Sequence, residues 1–145
     1  IYFNDPFIFH ALRWWAFGGR HPFDETLEFL KDSEDKSKLV ESVVCDHMIR
    51  LLFNLEPSPQ FDYMTKLFYW ESGKRREVDF VTKLEDAFLP IELKYQSSIQ
   101  RNDVYGIIDF MKGGKAHKGI IITKDAFVQG RIHVGIPASL FLLLA

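Results

Sequence analysis

Apolar positions along the chain change period several times, and each change marks an element. Over residues 37–53, Val40, Val43, Val44, Met48, Leu51 and Leu52 recur at helical spacing, which predicts an amphipathic helix with one buried face. Glu41 sits in its first turn on the stripe of Val44, Cys45, Met48 and Leu52, so its carboxylate points to the core side. Upstream, Asp5 and Pro6 supply an N-cap and first helical position for a helix to about Phe17, stopped by Gly18 and Gly19, and a short helix follows Asp24. The charged stretch 31–38 reads as a solvated linker, separating a helical segment over 1–36 from a domain over 37–145. Pro57 and Pro59 lie in the loop that ends the long helix.

Three strands are expected next, at about 63–70, 75–83 and 88–94, separated by Ser72-Gly73 and Glu85-Asp86 and forming an antiparallel meander. Ser97 to Gln100 matches a capping box. Val104, Ile107, Ile108 and Met111 mark the apolar face of the following helix, which stops at Gly113-Gly114. That helix is a crossover into the apolar run 119–123, a buried strand parallel to the one ending at Lys94. A strand near 131–134 and a helix after Pro137 complete an α/β arrangement.

Composition narrows the functional classes. With 18 Lys and Arg against 20 Asp and Glu, the net charge is -2, so polyanion binding has to come from a local patch. The single cysteine, Cys45, excludes an intrachain disulfide and a cysteine-rich zinc site, and fits a reducing, cytoplasmic setting. The apolar stretch 136–144 is too short to span a bilayer. The aromatic start, with Tyr2, Phe3, Phe7, Phe9, Trp14, Trp15 and Phe17, is expected of a piece of a longer protein; Trp14 or Trp15 is assigned to the core, and part of the rest to docking a missing domain or a second copy, as in a homo-oligomer.

The chemistry concentrates on the hairpin. If Glu85 and Asp86 are its two turn residues, Asp79 opposes Glu92 and Glu77 opposes Lys94. Glu77, Asp79, Glu92 and Lys94 then share one face, and Val78, Phe80, Ile91 and Leu93 the other. Opposed Cβ atoms lie roughly 5 Å apart, where two carboxylates repel unless a cation or proton lies between them. Asp79 and Glu92 are therefore candidate ligands of Mg²⁺ or Mn²⁺, with Lys94 beside the metal-bound water to orient and deprotonate it, Glu77 as an accessory acid and Glu41 approaching as a base or ligand. The competing reading is a wet sheet face with cross-strand ion pairs.

Glu41, Val78-Asp79 and Glu92-Leu93-Lys94, in that order of elements, resemble the PD-(D/E)xK nuclease superfamily. Leu39-Val40-Glu41, Tyr69-Trp70-Glu71, Glu77-Val78-Asp79-Phe80 and Pro90 to Lys94 resemble more narrowly the nuclease-like domain found C-terminally in archaeal and bacterial AAA-type ATPases. Tyr2 to Phe7 is similar to the segment joining the ATPase portion to that domain. The resemblance covers about residues 37–124. It implies a restriction-endonuclease-like core, namely a helix, a three-stranded antiparallel meander, a crossover helix and a parallel strand, with a helical N-terminal extension. It also implies a Mg²⁺- or Mn²⁺-dependent deoxyribonuclease with catalytic Glu41, Asp79, Glu92 and Lys94, metal ligands Asp79 and Glu92, DNA as substrate and an ATPase domain in the same protein. The superfamily also includes members that bind without cutting, so a nucleic-acid-binding or assembly module and a protein-interaction domain serving an ATPase are the alternatives.

Lys74, Arg75, Arg76 and Arg101, together with Lys112, Lys115 and Lys118, are candidate phosphate contacts, with solvated turn charges as the other reading. Lys112-Gly-Gly-Lys115 lacks the first glycine and the Ser or Thr of a phosphate-binding loop and is read as a helix C-cap. Cys45 and His47 face different ways on a helix, so Cys45 is assigned to packing.

Overall fold

The computed structural model describes residues 2–3, 5–73, 75–84 and 87–144. Two compact units emerge, residues 1–48 and 49–145.

The first unit begins with α1 (Pro6–Phe17), whose N-cap Asp5 accepts the Phe7 N–H at 2.8 Å and whose C-cap Gly18 takes φ 67, the left-handed value that glycine adopts without strain. Then follow α2 (Pro22–Phe29) and α3 (Ser33–Leu55), which runs on into the second unit. Phe3, Phe9, His10 and Phe29 form an aromatic cluster with ring centroids 5.1 to 5.5 Å apart. The stretch read as a linker is largely helical: the Asp32 carboxylate accepts the N–H groups of Glu34 and Asp35, both at 2.9 Å, and starts α3 four residues before Ser37. Along α3, Val44, Cys45, Met48 and Leu52 are buried as the periodicity predicted, and burial pushes the Cys45 thiol up to about 11. The expectation for the tryptophans fails. Trp14 is 42% and Trp15 79% exposed, because α1 is apolar on more sides than its partners within the unit cover and contains no buried residue.

The second unit is a mixed six-stranded sheet with helices. Its strands are β1 (Leu67–Glu71), β2 (Glu77–Leu84), β3 (Ala87–Lys94), β4 (Gly119–Thr123), β5 (Val128–Gln129) and β6 (His133–Pro137), in spatial order β1-β2-β3-β4-β6-β5. The first three form the antiparallel meander that was expected; β4 lies parallel to β3 and β6 parallel to β4, and β5 turns back on β6. The first strand starts later than predicted, since Asp62 caps a 3-10 turn over Tyr63–Thr65.

Between β3 and β4 runs α4 (Tyr105–Met111), the crossover helix. Its start is displaced from the predicted box: the Asp103 carboxylate accepts the Gln100 N–H at 2.6 Å, opening a 3-10 turn over Arg101–Val104 before α4. This helix approaches β2 so closely that a Cβ on Gly106 would meet the Glu77 carbonyl oxygen at 2.1 Å. Only glycine permits that packing. Buried Val78, Phe80, Val81, Ile91, Leu93, Ile107, Ile121 and Ile122 make the core, and the chain closes with α5 (Ala138–Phe141) after Pro137. Among the described residues no helix is long and apolar enough to cross a membrane.

Candidate active site

The hairpin register follows from its turn, although Glu85 and Asp86 themselves lie outside the described residues. From Leu84↔Ala87 to Phe80↔Ile91 the pairs are those that a two-residue turn at 85 and 86 requires. There the ladder stops, one pair short of Asp79 and Glu92. On the other edge of β2, Phe68 pairs with Val81 but Trp70 with Val78, so the single Tyr69 opposes both Asp79 and Phe80. That is a β-bulge, and it sits at the candidate metal ligand.

The bulge alters the strict alternation assumed from sequence. Val78 and Val81 are three residues apart and would face opposite ways on a regular strand. Both lie toward α4: Val78 Cγ2 is 3.5 Å from where a Gly106 Cβ would stand, and Val81 lines a groove with Phe110. Asp79 and Phe80 therefore share the interval between them.

Instead of a ladder pair, Asp79 makes a side-chain bond to the neighbouring strand: its Oδ2 accepts the Leu93 backbone N–H at 2.7 Å. This places the Asp79 carboxylate against the Glu92-Leu93 segment. Lys94, two residues beyond Glu92 on β3, holds its Nζ 2.7 Å from Glu92 Oε1. Glu92 Oε2 is buried and has no hydrogen-bond partner among the described residues. Such an orphan is costly unless a proton or cation satisfies it.

The electrostatics agree. Burial and then the Asp79 charge push the Glu92 carboxyl up to about 7, against the opposing pull of Lys94 and the Asp79 backbone. For Lys94, burial works against the charge, but Glu92, Asp79 and Asp103 together hold its pKa above the ordinary lysine value. Lys94 is thus a cation at neutral pH, suited to donating hydrogen bonds and offsetting negative charge rather than to accepting a proton.

The remaining acids are placed differently. Glu77 is exposed and accepts the Tyr69 hydroxyl at 2.6 Å, which pushes the Tyr69 phenol up to about 12. Glu41 belongs to the first unit, half-buried, where its Oε1 accepts the Tyr2 hydroxyl at 2.5 Å. Of the candidate phosphate contacts, Lys74 lies outside the described residues, and Arg75 is exposed at φ 57. Arg76 is committed to Asp109 at 2.8 Å and lies over the Tyr105 ring at 4.9 Å, while Arg101 is exposed in the 3-10 turn.

Three contributors have no site role in the sequence reading, although Tyr69 stands in one of its motifs. Tyr69 is set by the bulge, which no local pattern announces. The Leu93 N–H carries no side-chain signal. Asp103, which acts on Lys94 and also accepts the Gln96 amide at 2.6 Å, could have been found from its position three residues after Gln100, the spacing of a helix cap.

Asp79 and Glu92 fit a hard divalent cation. Both are oxygen donors, their mutual repulsion is what a cation relieves, and the unpartnered Glu92 Oε2 is a donor in want of one. Among the described residues no group of three or more His, Cys, Asp or Glu side chains is placed to hold a metal ion, so the remaining coordination would fall to backbone, water or substrate oxygens.

The chain matches the family described as "Domain of unknown function (DUF4143)" over residues 36–141. No curated protein and no solved structure matches it.

Proposed function

The chain belongs to the DUF4143 family, and from the arrangement of Asp79, Glu92 and Lys94 we propose that its second unit is a divalent-cation-dependent deoxyribonuclease with a restriction-endonuclease-like core. The observation that carries this reading is the buried Glu92 Oε2 without a partner among the described residues, in a carboxyl on which the Asp79 charge acts and whose sister oxygen lies 2.7 Å from Lys94 Nζ. A wet ion-paired sheet face does not bury a carboxylate and leave half of it unsatisfied.

In this reading Asp79 and Glu92 would hold Mg²⁺ or Mn²⁺, which would supply charge neutralisation and Lewis acidity at a phosphodiester. Leu93, through its N–H, orients the Asp79 carboxylate. Lys94 donates from its ammonium to the attacking water or to phosphoryl oxygen and balances the charge that builds up there. The order of helix, meander, crossover helix and parallel strand supports the restriction-endonuclease-like assignment. The resemblance of the first residues to an ATPase linker supports an attached ATPase portion.

Incubation of the protein with Mn²⁺ and plasmid, single-stranded or branched DNA is expected to give cleavage that Asp79→Ala and Lys94→Ala abolish. Cleavage that survives both substitutions would rule the site out. A second reading, a nuclease fold that binds nucleic acid or assembles without cutting, is favoured by the Lys94–Glu92 pair, which already neutralises one ligand, and by the net charge of -2. Metal binding without cleavage of any of these DNAs would select it.

A further inference from the structure

The charged and apolar sides of α1 are the reverse of what a solvated helix requires. At 3.6 residues per turn, Phe7, Ile8, Ala11, Leu12, Trp14 and Trp15 fall on one arc of about 160°, and all six are exposed. Phe9, His10 and Arg13 lie on the other side and turn toward α2. The Phe29 ring has Phe9 at 5.4 Å, His10 at 5.4 Å and the Arg13 guanidinium at 4.7 Å. Arg13 is the only charged residue of α1, so its one cation is used inward and the outer arc is left without charge. A helix that faces water distributes them the other way.

The area left in water is that of an interface. Phe7 is 76% exposed, Trp15 79% and Phe23 of α2, which lines one cleft with Phe7, Ala11 and Trp14, 73%. With Ile8, Leu12 and Trp14 added, the face presents on the order of 700 Å² of apolar side chain. The largest apolar patch of a monomer is commonly about 300–600 Å², whereas each partner in a stable complex contributes about 800 Å². Trp14 is already fixed, because its Nε1 donates to the Gly19 carbonyl at 3.1 Å, and docking it costs little side-chain freedom.

Charge narrows the occupant. Asp5, Arg20 and Asp24 flank the face in sequence with no dominant sign, so an oppositely charged partner gains little. Helices that lie on a bilayer surface carry Lys and Arg on their polar side, whereas the one cation of α1 lies over Phe29. The order of residues, by contrast, suits a copy of itself. Phe7 and Trp14 form one row around Ala11, and Ile8 and Trp15 the row beside it. When two such helices cross antiparallel at Ala11, Phe7 of each meets Trp14 of the other, and Ile8 meets Trp15. That reciprocity is what a two-fold interface demands, and the small Ala11 lets the axes approach.

We propose that this face pairs with the same face of a second copy, the two α1 helices crossing antiparallel at Ala11. The pairing uses the first unit alone, and it stands or falls apart from the nuclease reading of the second.

Sedimentation velocity of the whole chain over roughly 1 to 100 µM tests it, and a dimer is expected within that range. Ala11→Arg and Ala11→Glu each set like charges against each other at the crossing and are expected to give monomers, while their equimolar mixture restores a dimer. Trp15→Ala is expected to weaken dimerisation on the order of thirtyfold or more, and Trp15→Phe to keep it. Both positions are exposed, and unchanged circular dichroism of each variant shows that the helices persist. A wild-type monomer at the highest concentration overturns the proposal, and so does a dimer that neither Ala11 substitution disrupts. Loss of the dimer in both variants without restoration in the mixture overturns the crossing at Ala11. A monomeric wild type that cosediments with phosphatidylcholine and phosphatidylglycerol vesicles, and ceases to in Trp15→Ala, also overturns it and assigns the face to a lipid surface.

Discussion

The Asp79 carboxylate accepts the Leu93 N–H at 2.7 Å at the point where the ladder between the second and third strands ends. A ladder that continued would engage that N–H with a backbone carbonyl. Handing it to a side chain ties an acid of one strand to the backbone beside Glu92, and so sets the separation of the two carboxylates through the main chain rather than through flexible contacts.

Asp79→Asn and Asp79→Ala should therefore part company. Asparagine keeps an acceptor for Leu93 and removes the charge, so stability is retained and divalent-cation binding is lost. Alanine leaves the N–H unsatisfied and should lower unfolding free energy by about 1–3 kcal/mol. Urea denaturation in EDTA, with calorimetric titration of Mn²⁺, checks both; equal stability of the two variants would contradict the structural role of the bond.

Glu92 should make the metal-free protein less stable as pH rises. Its folded pKa of about 7 lies above the ordinary 4.5. Between those values the folded state keeps a proton that the unfolded chain has released, so stability falls with increasing pH across this window, and the full penalty, about 3 kcal/mol, applies above it. Glu92→Gln should remove the penalty: the variant gains on the wild type between pH 5 and pH 8 in denaturant titrations. A gap that stays constant over that range would show that Glu92 titrates normally.

Divalent cations should reverse that trend. Mn²⁺ or Mg²⁺ competes with the proton for Glu92, so the thermal upshift they produce should grow from pH 6 to pH 8 and vanish in Asp79→Ala. Differential scanning fluorimetry with and without EDTA reads it. An upshift of the same size in the variant would place the ion elsewhere.

Gly106 should be intolerant of any side chain. Its Cβ would stand 2.1 Å from the Glu77 carbonyl oxygen, a backbone atom that cannot rotate away. Gly106→Ala should cost about 1–3 kcal/mol or more by forcing the crossover helix off the second strand, next to Asp79. A wild-type denaturation midpoint would refute the close approach.

The local sequence determined a good deal of this protein. Period-of-two and period-of-3.6 patterns place the long helix, the meander, the crossover and the parallel strand, because each element must bury one face. The spacing of Glu85 and Asp86 sets the hairpin register, because a two-residue turn admits only one. Those two facts bring Asp79, Glu92 and Lys94 to neighbouring strands.

What only the tertiary structure decided is how those residues meet. The bulge at Asp79 and Phe80 arises between strands one and two, from pairing partners eight to thirteen positions away, and next to it the Asp79 side chain takes the Leu93 N–H where a ladder bond would have run. Burial of Glu92 depends on packing around the middle of the sheet, so neither its raised pKa nor its orphaned oxygen can be read from an alternating strand. The exposure of Trp14 and Trp15 is the converse case: apolar residues at helical spacing announce a helix, but whether a partner covers them is a property of the assembled chain. Period and turn chemistry are local; burial and charge environment are sums over residues distant in sequence, and the chemistry at Glu92 is made of those sums.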